Sequence, residues 1–178
     1  MNNLHQKYTN ILTFNTLDST NNYLLEHIKE IPSGTIIIAD EQTAGRGRHE
    51  RTWTSPVGGI YFSILWHFPV QPEAVEELSI DVANAIIQGL NKSGIHEDLT
   101  VKAPNDVLHE NKKLAGILIE SKTSQDKIFT VIGIGINADT PDDSHFDYPA
   151  TSLSQILNGD IDRNKVIVDV LNSLSSIL

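Results

Sequence analysis

Short apolar runs separated by polar turns recur along the chain and predict more strands than helices. The runs are rich in β-branched or aromatic residues and have the length of strands; they are 35–39, 59–66, 99–102, 114–121 and 127–137. The polar TSQD segment at 123–126 separates the last two runs. It predicts a turn, so we expect these two strands to form a hairpin.

Apolar residues at helical spacing predict helices elsewhere. Residues 18–30 begin with helix-capping types, and 74–90 carry an apolar stripe. Segments 152–157 and 162–178 are also expected to be helical, whereas the acidic, proline-bracketed 139–149 is expected to be a loop. Because strands adjoin strands more often than they alternate with helices, we predict an α+β fold. Its sheet is expected to be mainly antiparallel or mixed, with helices packed on one face.

The composition is that of an ordinary globular protein. A chain of 178 residues, 39% of them hydrophobic, can bury a core without a metal or a disulfide, so we expect a single domain over 1–178. The chain has no cysteine, which excludes a disulfide framework and a thiolate nucleophile. Its N-terminus lacks the features of a signal peptide, and no apolar run reaches the ~18 residues of a membrane span. These features favour a cytoplasmic protein with no membrane partner.

The arginines are concentrated in one glycine-containing segment. Three of the four lie at Arg46, Arg48 and Arg51, although the formal net charge is -10. Glycines such as Gly47 let backbone N–H groups approach an anion, and guanidinium groups bind phosphate or carboxylate through paired hydrogen bonds. The position between two predicted strands, with Trp53 following, favours a loop that closes over an anionic ligand. The open alternative is a solvated loop or a local RNA patch, the latter disfavoured by the net charge.

A second candidate site lies within 101–120. Asn105 and Asp106 predict a turn with an exposed carboxylate, and Lys113 stands where the next strand begins. Such a carboxylate could hold Mg²⁺, and such a lysine could neutralise a substrate acid. A turn followed by a surface lysine is the commoner fate of these residues. Gly116 within the strand favours a functional site, because a strand glycine often marks close approach of a ligand.

The GIGINA sequence at 133–138 fits a dinucleotide-binding pattern only formally. That pattern needs a helix after the glycines to receive the pyrophosphate, and here the chain continues into DTPDDS. Small residues lining the floor of a pocket explain the glycines better. The chain has no Walker A sequence, no paired metal-binding histidines and no G-x-S-x-G, which argues against metallohydrolases and serine hydrolases.

Five blocks in this order resemble a known family. They are DSTN at 18–21, QTAGRGRxxRTWxSPxGGIYFS at 42–63, KxPND at 102–106, KKLAGILIE at 112–120 and GIGIN at 133–137. The set resembles the catalytic domain of biotin protein ligases, from about Tyr8 to the C-terminus. The resemblance implies that biotin reacts with ATP, with Mg²⁺ as cofactor, to give biotinyl-5'-AMP. The biotinyl group then passes to a lysine of the biotin carboxyl carrier protein domain of acetyl-CoA carboxylase.

The resemblance also implies roles for the matching residues. The implied biotin site comprises Ser19, Thr20, Asn21, Gln42, Arg46, Gly47, Arg48, Lys113 and Gly116. The implied ATP and adenylate site comprises Arg48, Arg51, Trp53, Asn105, Asp106, Lys113 and Asn137. Catalytic roles are implied for Lys113, Arg46 and Arg48, and Asp106 is the implied Mg²⁺ ligand. Fixed positive charge suits a reaction that brings a carboxylate against a triphosphate.

The chain departs from the family pattern at two positions, and other readings remain. Glu50 stands where the family usually has glycine, and Ala103 where it usually has tryptophan. We expect no N-terminal helix-turn-helix, and therefore no DNA partner. We also expect no C-terminal β-barrel. The resemblance implies that a homodimer is possible. A lipoyl or octanoyl ligase-transferase, or a truncated module that binds biotin without transferring it, are the alternative functions.

Overall fold

The computed structural model describes residues 8–69, 73–124, 127–139 and 149–178. Within these residues the strands are β1 Asn10–Leu17, β2 Thr35–Gln42, β3 Ile60–Pro69, β4 Leu99–Lys102, β5 Asp106–His109, β6 Lys112–Ser124 and β7 Lys127–Ile136. The α-helices are α1 Thr20–Glu26, α2 Glu73–Lys92, α3 Leu153–Leu157 and α4 Arg163–Leu174, and a 3₁₀ turn covers Arg48–Glu50.

The described strands form one mixed sheet in the order β1-β2-β3-β7-β6-β5-β4. β1 pairs with β2 in parallel, and every other neighbouring pair is antiparallel. The predicted hairpin of β6 and β7 is present. The predicted α+β class with a mainly antiparallel, mixed sheet is therefore confirmed.

One face of the sheet, which we call the core face, carries the main hydrophobic core. Alternate residues of the central strands point to it, because side chains of a strand alternate between the two faces; Phe62 and Ile134 are examples. The long helices α2 and α4 cover this face and contribute residues such as Ile86 and Val170. At Gly89 the helices approach so closely that an added Cβ would meet the backbone of Val170. This face supplies the apolar burial that stabilises the fold.

The opposite face, which we call the pocket face, is covered differently. The short helix α1 packs there through Leu24, which forms a small cluster with Ile37 and Val131. Ser19 caps α1 and its side chain accepts a hydrogen bond from Asn22 N. The helix α1 spans only seven residues, and Gly116 of β6 and Gly135 of β7 line a pocket on this face. The long helices α2 and α4 share one face, as predicted for the helices, whereas the short helix α1 lies on the other face.

Two strands are additions to the sequence-based prediction. β1 lies at an edge of the sheet, and most of its side chains are exposed, so its sequence shows no clean alternation of apolar and polar residues. β5 begins at Asp106, where a turn with an exposed carboxylate was expected, and the turn occupies residues 103–105 instead. Most of the loop expected at 139–149 lies outside the described residues.

In the residues that the structure covers, every helix is too short or too polar to cross a lipid bilayer.

Candidate functional site

A pocket of about 440 Å³ opens on the pocket face, within the usual size range of small-molecule sites. It extends from the start of α1, past the arginine segment, to β4 and β5. Its lining comprises Ser19, Thr20, Asn21, Gln42, Arg46, Gly47, Arg48, His49, Arg51, Thr52, Trp53, Lys102, Asn105, Asp106, Leu108, Asn111, Lys113, Gly116, Ile117, Leu118, Gly133, Ile134, Gly135 and Pro149. Every site residue that the family resemblance implies, except Asn137, lines this pocket.

Glycines of the central strands form the pocket floor, as the sequence predicts for the GIGIN segment. Trp53 lies across Gly116 and Gly135, and a Cβ on either glycine would come within 2.5–2.7 Å of the indole ring. Gly133 lies beneath the side chain of Asn21 in the same way. Larger residues at these positions would fill the space that the indole and the amide occupy.

A β-bulge turns Lys113 toward the pocket. β5 pairs with β6 through Val107 and Ala115, then through Leu108 and Lys113, so Leu114 is an extra residue in β6. Strict alternation would put Lys113 on the same face as Ala115, which is buried in the main core. The bulge lets both Leu114 and Ala115 enter the core while Lys113 joins the pocket face.

Lys113 is held by a carboxylate and an aromatic ring. Its Nζ lies 2.7 Å from Asp106 Oδ1 and 5.0 Å from the centroid of the Trp53 ring. The side chains of Lys113 and Asp106 are only 16% and 21% exposed, so the pair is shielded more than a surface ion pair. The two candidate residues of 101–120 are therefore in direct contact. The expectation that the carboxylate is exposed is wrong, because β5 turns it toward Lys113.

The arginine segment joins β2 to β3, as predicted, and doubles back on itself. Arg46 and Thr52 form an isolated β-bridge, and Gly47 N donates to Arg51 O at 2.7 Å. Arg46 forms an ion pair with Glu120 of β6 at 2.7 Å. Arg48 Nη1 donates to Asn105 Oδ1 at 3.3 Å, so this arginine reaches across the pocket to the turn before β5.

Buried polar side chains form the closed end of the pocket. Thr20 donates to Gln42 Oε1 through its backbone N at 2.9 Å and through its hydroxyl at 3.1 Å. Gln42 Nε2 donates to Ser55 Oγ at 2.8 Å. Ser63 of β3 reaches Asn21 Oδ1 at 2.6 Å. Buried polar groups are normally satisfied, so this network fixes the orientation of the side chains that face a ligand.

Asn137 lies just outside the pocket lining. It is 5% exposed, and its Nδ2 donates to the carbonyl oxygens of Lys113 and Thr151 at 3.2 and 3.0 Å. It therefore ties the start of β6 to the segment that follows residue 149. Its implied role in nucleotide binding stays a prediction.

Of the pocket-lining residues that the structure describes, Asp106 is the one carboxylate. Among the described residues there is no cluster of three or more histidines, cysteines or acids that could hold a metal ion. Asp106 and Asn105 supply a carboxylate and an amide side by side in the lining. Mg²⁺ is commonly bound by one or two carboxylates together with substrate phosphates. The residues therefore fit an ion that arrives with a nucleotide, and they do not fit a closed site of protein ligands.

Several residues of the site were missed by the sequence analysis. Lys102 and Asn111 line the pocket near its β5 end, and Glu120 and Ser63 anchor lining residues from behind. Lys102, Glu120 and Ser63 belong to the quoted sequence blocks, so their place in those blocks was an available signal. Asn111 carried no such signal because it lies in the turn between β5 and β6.

The mixed sheet and a pocket that combines cationic side chains with buried polar ones define a class of small-molecule binding domain. Residues 13–137 match the model of the biotin/lipoate A/B protein ligase family. The chain belongs to this family.

Individual relatives agree with this assignment. The bifunctional ligase/repressor BirA of Bacillus spizizenii is 41% identical over 149 residues, which are 79% of this chain and 44% of that protein. The biotin-[acetyl-CoA-carboxylase] ligase of Paracoccus denitrificans is 37% identical over 70% of this chain and 53% of its own. The structure of biotin protein ligase from Aquifex aeolicus with biotin and ATP has a TM-score of 0.79 and 33% identity, covering 95% of this chain and 70% of that one. The chain thus spans about half the length of these curated relatives.

Proposed function

We propose that this chain is the catalytic domain of an ATP-dependent biotin protein ligase. The observation that carries the proposal is the convergence of Lys113, Arg46 and Arg48 on one pocket whose closed end is lined by buried polar groups. Similarity to ligases of known name supports the same conclusion, and the Aquifex aeolicus structure contains both biotin and ATP. The pocket offers one end for an uncharged polar head group and another for anions.

The first step forms a mixed anhydride. A carboxylate oxygen of biotin attacks the α-phosphorus of ATP, the bond from that phosphorus to the bridging oxygen breaks, and pyrophosphate leaves with the bonding electrons. Both reactants are anions, so fixed positive charge must offset their repulsion in the transition state. We assign this role to Lys113 together with Arg46 and Arg48, which line the same pocket.

The biotin head group is proposed to bind at the closed end. Ser19, Thr20 and Asn21 lie there with Gln42, and they offer hydroxyl and amide groups that match the N–H and C=O groups of a ureido ring. The biotin carboxylate would then point to Lys113, and the alkyl chain of biotin would pass Gly47 and Gly116 in the pocket lining. Burial of the first three residues below 5% exposure keeps competing water away.

The nucleotide is proposed to occupy the other end of the pocket, near β4 and β5. Arg48 and Arg51 would contact its phosphates, and Trp53 would contact its ring system. Asn105 and Asp106 would hold Mg²⁺, which would neutralise phosphate charge when it is bound with ATP. Asn137 is proposed to act here through the main chain of Lys113, whose carbonyl it binds.

The second step transfers the biotinyl group to a carrier. A lysine amine of the carrier attacks the acyl carbon, the bond from that carbon to the phosphate oxygen breaks, AMP leaves with the bonding electrons, and the amine loses a proton as it becomes an amide. We propose the biotin carboxyl carrier protein domain of acetyl-CoA carboxylase as the acceptor, since the Paracoccus denitrificans relative is named for this reaction. A cytoplasmic location, a homodimer and the lack of a DNA partner remain parts of the proposal.

Biotin-dependent exchange of labelled pyrophosphate into ATP tests the proposal. The purified chain is expected to catalyse exchange with biotin and not with lipoate. Exchange with lipoate alone would support a lipoyl ligase instead. Biotin binding without exchange would reduce the chain to a binding module, and absence of both in folded protein would reject the proposal.

A further inference from the structure

Glu120 joins two parts of the site from behind the pocket lining. It follows Gly116 and Leu118 on the pocket face of β6. Its Oε2 accepts hydrogen bonds from Arg46 Nη2 at 2.7 Å and from Asn21 Nδ2 at 2.8 Å. A single carboxylate oxygen therefore links the arginine segment to the start of α1.

This contact decides which way the Asn21 amide faces. An ionised carboxylate can only accept hydrogen bonds, so the NH₂ group of Asn21 must be the part that faces Glu120. The carbonyl oxygen of Leu118, also an acceptor, lies 3.3 Å from the same nitrogen. Asn21 Oδ1 then faces Ser63 and lies over Gly133 in the pocket floor.

The contact of Asn21 with Ser63 would permit either orientation of the Asn21 amide. Ser63 Oγ lies 2.6 Å from Asn21 Oδ1 and 2.7 Å from Thr20 Oγ1, yet it has one proton to donate. With the amide reversed, Asn21 would donate to Ser63, which would donate in turn to Thr20. Ser63 thus has hydrogen-bond partners in both orientations. Glu120 therefore selects the orientation of the Asn21 amide, and the longer contact to Leu118 O favours the same one.

We propose that Glu120 is a positioning residue, which holds Asn21 with Oδ1 over Gly133 in the pocket floor and keeps Arg46 beside Asn21. An acceptor in this place selects a head group that presents an N–H donor, such as the ureido ring of biotin, and so this inference rests on the proposed function. Reversal of the amide would present a donor and lose that match. Glu120 thereby couples recognition of the head group to the position of the arginine segment.

The Glu120→Gln variant tests this role by titration calorimetry. We expect about a tenfold loss of biotin affinity, because a hydrogen bond to a charged group is lost and the amide can reverse. ATP affinity is expected to fall less than biotin affinity, because Arg48 and Arg51, which carry the proposed phosphate contacts, do not contact Glu120 directly. Glu41→Gln is the matched control, since it removes one carboxylate from β2, outside the pocket lining, where Glu41 accepts a hydrogen bond from Thr16. Unchanged biotin affinity in Glu120→Gln, or an equal loss in the control, would overturn the proposal.

An exchanged pair separates positioning from general damage. In the double variant Glu120→Gln with Asn21→Asp, the glutamine amide can donate to the new carboxylate, which returns an acceptor to the pocket. Biotin affinity is expected to recover in part, because the new carboxylate cannot donate to Leu118 O. A double variant that binds biotin no better than Glu120→Gln would contradict the proposal.

A ligand-free measurement distinguishes failure of this inference from failure of the proposed function. The side-chain NH₂ protons of Asn21 should resonate downfield and exchange slowly with solvent in NMR spectra, because they donate to a carboxylate. Glu120→Gln should shift them and speed their exchange. Unchanged signals would reject the role of Glu120, whereas the expected shift in a protein that does not bind biotin would reject the proposed function alone.

Discussion

The core face and the pocket face use the same strands but alternate residues of them. Ile134 packs into the main core, and its neighbour Gly135 lies under Trp53 in the pocket floor. On β3, Phe62 is in the core, and Ser63 holds Asn21 on the opposite side. One face is apolar and covered by long helices, whereas the other combines glycines, buried polar groups and ion pairs.

Within one sheet, the core face stabilises the fold, and the pocket face carries the residues of the candidate site. Burial on the core face supplies the apolar free energy of folding. The pocket face can then carry residues that contribute little to that free energy, such as Gly133 and Lys113. Strain is also concentrated there: of five non-glycine residues with positive φ in the described chain, His49 and Asn111 line the pocket, and Glu50 and Glu110 adjoin them.

The largest effect is expected for Lys113→Ala. Loss of the ammonium group should lower the rate of biotin-dependent pyrophosphate exchange at least about a hundredfold, as for loss of one preorganised group that stabilises charge. The free energy of unfolding should fall by only about 1 kcal/mol, because Asp106 remains partly solvated. Exchange assays and urea titrations measure the two quantities. Wild-type exchange rates in this variant would break the distinction between the faces.

The neighbours Gly135 and Ile136 give the next test. Ile136→Ala should lower the free energy of unfolding by about 2–5 kcal/mol, because it removes a side chain that is buried in the main core and lies outside the pocket lining. Biotin affinity of the folded fraction should change little. Gly135→Ala should lower biotin affinity strongly and the free energy of unfolding only a little. The added Cβ would fall within 2.5–2.8 Å of the indole of Trp53 and push the ring into the pocket. Urea unfolding and biotin titration of both variants measure these two quantities. A larger loss of biotin affinity in the core-face variant than in Gly135→Ala would contradict the comparison.

A smaller effect is expected at Glu50. Its φ of 60° lies in the left-handed region, which glycine adopts without a steric penalty. Glu50→Gly should therefore raise the free energy of unfolding by about 0.5–1 kcal/mol, after the entropy that glycine adds to the unfolded chain. Glu50→Ala removes the same charge but keeps Cβ, so it serves as the control. Equal stability of the two variants in urea titrations would show that strain at this position is absent.

The smallest effect concerns the helices of the core face. A hydrogen bond from Lys165, aided by one from Ser93, lowers the pKa of Asp169 below its ordinary value. The folded state therefore binds this proton less readily than the unfolded state, so the stabilisation is present above pH ~4 and is lost as pH falls through the lowered pKa. Asp169→Asn should cost under about 1 kcal/mol at pH 7. In urea titrations, the difference in stability between this variant and the wild type should shrink as pH falls through the lowered pKa of Asp169.

Much of the core face could be predicted from sequence, and the pocket face only in part. Apolar spacing in 74–90 and the alternating GIGI of β7 identify buried residues directly. The bulge that turns Lys113 has no local signal, because it depends on how β5 pairs with β6. The ion pair of Arg46 with Glu120 joins residues 74 positions apart, so no periodicity could reveal it. Edge strand β1 was missed since neither of its faces is fully buried.

A crystal structure of the protein with biotinyl-5'-AMP is the most direct test of the account. We predict that the ureido ring lies against Asn21 at the closed end of the pocket. The acyl phosphate should contact Lys113 and at least one of Arg46 and Arg48. A ligand bound elsewhere, or one with these three cationic side chains directed away from its phosphate, would contradict the account.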